Sequence, residues 1–270
     1  MRPVEQSVVP KLGDPELCED GIVCTGAFAA VVDGATDKSG RRYDGLSGGR
    51  LAMLVVCDAV ASLPVRATMP EAVAFLTEAL AERLPADLPL ERPSAAVTIY
   101  SAARRELWQV GDVGFWFPGN AAPPVEKRVD VANVAMRTAI LRAELLLGRT
   151  VAELAADDVG REAILPLLRR QAVFANNPAA GGLAFAVIDG RPVPPGLIRA
   201  VPVPADVTEL VLASDGYPAI RPTLAATEAH LRGLLDVDPL CIGPLAATKG
   251  LAPGALGYDD RSYLRIDLSG

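Results

Sequence analysis

Acidic residues stand at the ends of the strand-like runs of this chain, and that placement limits its fold and chemistry more than any other feature. The sites are Glu19-Asp20, Asp33-Gly34, Asp215-Gly216 and Asp259-Asp260. Carboxylates at strand termini lie on the rim of a sheet, where separated segments can converge on one cleft. Like charges about 4 Å apart cost several kcal/mol near a protein surface, so such a cluster needs protons or a cation to balance it. Oxygen-only donors select hard ions such as Mg2+ or Mn2+. Glycine after Asp33 and after Asp215 allows close backbone approach and leaves a carbonyl able to join the coordination. Each dipeptide alone is an ordinary turn signal, and Asp189-Gly190 is read as a hairpin turn. The ordered set carries the inference.

Between these sites the pattern alternates irregularly. The apolar run Phe28–Val32 predicts a buried strand, and Ser47 a cap for a helix over Gly48–Leu63. Pro70 suits the first turn of a second helix with Val73, Leu76, Leu80 and Leu84 on one face. Strands are predicted over Ala95–Tyr100, Glu106–Val110 and Phe115–Phe117. Asp130 reads as the cap of a helix reaching Leu147, and Thr150 with Glu153 as a capping box. A further helix from Asp158 to Gln171 contains Pro166, which predicts a kink or interruption. Gly182–Ile188, Glu209–Ala213 and Ser262–Ile266 read as strands, with a helix over Thr223–Leu235. Strands near both ends with pairs of helices between them predict an α+β fold in one domain, residues 1–270.

Composition removes several function classes. The 33 acidic and 26 basic residues leave a net charge of −7, which argues against a nucleic-acid partner. The single histidine, His230, excludes H-E-x-x-H zinc chemistry and reads as a surface or packing residue on its helix. Cys18, Cys24, Cys57 and Cys241 form no C-x-x-C pair, and neither a secretory leader nor an apolar run of about 20 residues is present. The expected setting is the cytoplasm, with reduced thiols and no membrane partner. Arginine outnumbers lysine 22 to 4, read as a coding bias without functional weight.

The motifs around the acidic sites resemble those of the metal-dependent protein phosphatases, the PPM or type 2C family. Glu19-Asp20 followed by Phe28-Ala-Ala-Val-Val-Asp-Gly34 is similar to that family's opening segment, and Gly48-Gly49 to its next. Trp108-Gln-Val-Gly-Asp112 resembles its V-G-D strand, Leu212-Ala-Ser-Asp-Gly216 its L-A-S-D-G motif, and Asp259-Asp-Arg-Ser262 its closing motif. The resemblance covers residues 7 to 268. It implies a four-layer α-β-β-α sandwich with two central antiparallel sheets and a binuclear metal centre at one edge.

Carried over, Asp33 would bridge two Mn2+ or Mg2+ ions and Gly34 would offer its carbonyl. Asp215 and Asp259 would complete one ion's shell, with Glu19 and Asp20 holding coordinated waters. Asp112, with Asp215, would serve a weaker third ion. The implied reaction is phosphomonoester hydrolysis, with hydroxide held between the metals attacking phosphorus. Asp33, Asp215, Asp259 and Asp20 would carry that catalysis. The implied substrate is phospho-Ser/Thr on a phosphoprotein; the alternatives are a phosphorylated small molecule or a silent binding module. The chain departs from the family at Ala35, where many relatives have histidine, and at Pro15, where they have a phosphate-binding arginine. Lys11, Arg41 and Arg42 are the candidates to replace that arginine. Val113-Gly114 also departs from the residues that usually follow V-G-D.

Overall fold

The computed structural model describes residues 1–36, 38–88, 90–122 and 125–269, excluding the side chains of 121 and 122. Two five-stranded antiparallel sheets pack face to face. The first runs β2 (Asp20–Cys24), β3 (Phe28–Gly34), β4 (Ala95–Ser101), β5 (Glu106–Val110) and β8 (Arg199–Pro202) in spatial order. The second runs β1 (Arg2–Val9), β10 (Arg261–Asp267), β9 (Glu209–Ala213), β6 (Gly114–Phe117) and β7 (Asn120–Ala122).

Alternation along β3 divides its side chains between two cores. Ala29 and Val31 join Tyr100, Phe115, Leu212 and Leu264 between the sheets. Ala30 and Val32 pack on the other side against Leu51, Val56, Leu76 and Leu80 from α1 (Gly48–Ser62) and α2 (Met69–Arg83). On the far face of the second sheet, Val211, Ala213 and Tyr263 pack against Leu231 and Leu235 of α6 (Leu224–Val237). The result is the expected four-layer sandwich. Because residues two apart share a face, Asp33 continues the series of Ala29 and Val31 at the mouth of the inter-sheet gap.

The caps follow the predicted chemistry at α1, where the Ser47 hydroxyl accepts the Arg50 N–H. Thr68 and Glu71 add a capping box at α2. Between β7 and β8 lie α3 (Arg128–Leu146), α4 (Val151–Ala156) and α5 (Val159–Arg170). Four expectations need correction. Asp130 is not the cap of α3: Lys127 holds that position and Asp130 lies in the first turn. Residues 182–188 form no strand; a 3-10 turn, Pro178–Leu183, leads into single bridges that pair Phe185 with Ala175 and Ile188 with Ala95. Asp189 therefore closes no hairpin, and its buried carboxylate instead accepts from Asn176 and Arg191. Pro166 lies inside α5, which continues through it. The sequence pattern also passed over β1, whose mixed charge and proline pair along β10 at the sheet edge.

Candidate active site

Asp20 and Asp33 face each other directly across β2 and β3, so their side chains emerge on the same face, about 5 Å apart at Cβ. Asp215 follows the end of β9 and Asp259 precedes the start of β10, two central neighbours in the second sheet. The sheet stacking thus brings the predicted acidic sites together at one end of the gap. Asp33, Gly34, Asp112, Asp215 and Asp259 line a single cavity there. The two sheets are joined behind it by Ser214, whose hydroxyl donates to Asp20 Oδ2 at 2.6 Å and accepts the Ser262 N–H at 2.9 Å.

The glycines allow the predicted close approach of backbone. A methyl group on Gly34 would run into the carbonyl of Gly49, and one on Gly216 into that of Asp260. Close packing of β3 against the N-terminus of α1 fixes Asp33, and the Gly34 N–H donates to the Glu19 carbonyl at 2.8 Å.

The carboxylates then divide into two groups. Burial, with repulsion from Asp20 and Asp215, pushes Asp33 well above the carboxylate range. Burial, with the Asp259 and Asp112 charges, raises Asp215 to about 7. Asp20 rises to about 8 through burial, despite the bond from Ser214. Among the described residues, no hydrogen bond or ion pair reaches the Asp33 or Asp215 carboxylate. Asp259 behaves oppositely: burial would raise it, but Lys249 and Lys11 outweigh that cost and hold it below the usual range. Lys11 also donates to Asp260 at 3.0 Å and lies 3.7 Å from Glu19. Lys127 pairs with Asp112 at 2.7 Å. Glu19 accepts from Ser47 at 2.6 Å and from Thr36 at 2.7 Å.

Lys38, Lys127, Lys249 and Arg161 join the aspartates around the cavity, with the Gln171 amide beside them. All four lysines of the chain therefore stand at this centre, although their scarcity had been read as coding bias. The concentration of so rare a residue near the motif aspartates was the one signal of this in the sequence, and it becomes visible only after folding. Of the candidate phosphate-binding cations, Lys11 reaches the acidic cluster. Arg41 turns away to Asp87 and the Tyr43 ring. His230 does not line the cavity, Trp108 is core, and burial pushes the Cys18 thiol up to about 12.

The motifs imply a binuclear metal centre. Asp33 and Asp215, with the Gly34 carbonyl, are hard oxygen donors to which no cation pairs directly among the described residues, and they fit one hard divalent ion. Asp259 and Asp112 already carry ammonium groups. Among the described residues, no three Asp, Glu, His or Cys side chains are grouped to hold a metal ion.

No family model and no curated protein matches this chain. Solved structures do. The serine/threonine phosphatase PstP/Ppp of Mycobacterium tuberculosis is 18% identical over 98% of both chains, with a TM-score of 0.50. The serine/threonine phosphatase Stp1 of Staphylococcus aureus is 11% identical over 98% of this chain and 94% of its own, also at 0.50. Among the described residues, no helix is long and apolar enough to cross a membrane. With its two antiparallel sheets between helical layers, the chain has the fold of the metal-dependent PPM-type phosphatases that its motifs resemble.

Proposed function

We propose that residues 1–270 form one metal-dependent phosphomonoesterase domain acting on phospho-Ser/Thr in proteins, with Mn2+ or Mg2+ as cofactor. The observation that carries this reading is the placement of two carboxylates with no direct ion pair among the described residues, Asp33 and Asp215, against a cavity wall of lysines and arginine. Asp33, Asp215 and the Gly34 carbonyl would hold a divalent ion. Such an ion supplies an activated water and stabilises charge on the phosphoryl oxygens.

The remaining roles belong to the chain. Lys38, Lys127 and Arg161 present positive charge to a phosphoryl group entering the cavity. They take over the part of the arginine missing at Pro15. Asp20, bonded by Ser214, supports Asp33 from across the strand pair and helps orient water in front of it. Ala35 offers no proton, so the leaving oxygen must take its proton from water or from an ammonium on the cavity wall. The proposed setting is the cytoplasm.

The test is hydrolysis of p-nitrophenyl phosphate with and without Mn2+, followed by a comparison of phosphopeptides with small phosphometabolites. Metal-dependent turnover favouring phosphoserine or phosphothreonine peptides is expected. Preference for a metabolite would move the substrate class, and absence of any hydrolysis would leave a binding module in its place.

A further inference from the structure

Each acidic position in the centre has a different relation to lysine. Lys249 contacts Asp259 Oδ2, and Lys11 lies 3.4 Å from Asp259 Oδ1, so both oxygens of that carboxylate face ammonium groups. Lys127 pairs with one oxygen of Asp112, Oδ2, at 2.7 Å. Asp33 and Asp215 have no such partner among the described residues. A divalent ion arriving at Asp259 would have to displace two ammonium groups in contact with the carboxylate, whereas at Asp33 and Asp215 the cations of the cavity wall, Lys249 and Lys127 among them, act only from beyond ion-pair distance.

Lys249 is also held in place. The fully buried Arg137 of α3 donates to the carbonyls of Leu240, Cys241 and Ala247 at 2.8, 3.1 and 3.0 Å. Arg161 of α5 donates to the Thr248 carbonyl at 2.9 Å, one residue before the lysine. The backbone that aims Lys249 is therefore anchored to two helices. A lysine ammonium is a compact, strongly hydrated point charge, unlike the flat guanidinium fork. In a chain with 22 arginines, the groups placed against these carboxylates are the ones that most resemble a metal ion in shape and charge.

We propose that the centre binds a single divalent cation, on Asp33 and Asp215, and that the Lys249 ammonium holds Asp259 out of that ion's shell and supplies the positive charge that a second ion would bring. The proposal rests on the phosphatase reading for the identity of the ion, but its measurement does not depend on turnover. One divalent ion cancels the two charges of Asp33 and Asp215, and the tethered ammonium groups cancel those of Asp259 and Asp112. Lys249 is here a charge-balancing and positioning residue.

The experiment is calorimetric titration of the chelator-treated full chain with MnCl2, with free Mn2+ counted in parallel by electron paramagnetic resonance. The wild type is expected to bind one ion per chain, and Lys249→Met to bind two. Lys249→Ala, at a partly exposed position, serves as a second neutral variant, with thermal melts to establish folding. Asp33→Asn should abolish the wild-type site. Two ions of similar affinity in the wild type would overturn the proposal, as would one ion in both neutral variants. If two ions bind and p-nitrophenyl phosphate is hydrolysed, the single-ion assignment fails and the phosphatase reading stands. If one ion binds and no phosphomonoester is cleaved, the phosphatase reading fails instead.

Discussion

The aspartates of the β-strand motifs stand at the ends of core strands, whereas the four lysines of the centre stand on the connections between elements. Asp20 and Asp33 belong to β2 and β3, while Asp215 and Asp259 lie within two residues of β9 and β10. Lys11 follows β1, Lys38 lies in the segment after β3, Lys127 caps α3, and Lys249 lies between α6 and β10. Strand ends are fixed by the ladder and by packing on both faces. Connections are fixed only by whatever reaches them, here Arg137 and Arg161. The carboxylates are thus held close together against their own repulsion by the most rigid part of the molecule, and compensating charge is delivered by the more adjustable part.

The strongest way to break this division is to remove an uncompensated carboxylate. Asp33→Asn or Asp215→Asn should lower metal-dependent hydrolysis of p-nitrophenyl phosphate by about 10^2- to 10^3-fold. The melting temperature of the metal-free variant should stay level or rise, because a buried charge without a partner has been deleted. Wild-type turnover in both variants would remove these residues from the chemistry.

Next in size is the anchor of the cationic half. Arg137 is fully buried, bonding Asp158 Oδ2 at 2.7 and 3.0 Å besides its three carbonyls. Arg137→Ala leaves that carboxylate and those carbonyls without their donor, and should cost about 3–5 kcal/mol in urea unfolding. A loss below about 1 kcal/mol would mean that the segment bearing Lys249 is held by other contacts.

Proton linkage sharpens the contrast further. In the folded chain Asp20 and Asp215 keep protons up to about 8 and about 7, whereas unfolded aspartate releases them near 4. Between these values the folded state binds more protons, so stability must fall as pH rises. Thermal melts in chelator should show the melting temperature decreasing from about pH 5 to pH 8, and Mn2+ should reduce or reverse the decrease. A rising melting temperature over that interval would contradict the repulsion assigned to the acidic half.

The smallest effect is expected at Arg41. Its partner Asp87 is exposed and neither side chain lines the cavity. Arg41→Ala should change kcat/KM for an aryl phosphate by less than about twofold.

The same division explains what could be read before the fold was known. The strands around Asp33 and Asp215 were legible because alternation and turn chemistry act within a few residues. Their convergence was legible through the ordered motifs. The 182–188 segment was misread because Ala184, Ala186 and Ile188 alternate like strand residues, although only isolated bridges form there. Asp130 has cap chemistry, but the Lys127–Asp112 pair sets the entrance to α3 three residues earlier. Lys11 was legible as a candidate cation, but its partners, and the placement of Lys38, Lys127 and Lys249, were not. Lys11 reaches Asp260 across 249 positions of sequence, and no local pattern encodes such a contact.

The topology also bears on how the protein comes into being. Strands β2 to β5 follow one another and pair as a meander, so the sheet carrying Asp20 and Asp33 can form while synthesis is still under way. β1 must wait for β10, joining residues 2–9 to residues 261–267. Asp215 and Asp259 arrive with those late strands. A nascent chain therefore displays only half of the acidic cluster, and the closing of the second sheet is the moment at which Asp215 and Asp259 first meet Asp20 and Asp33.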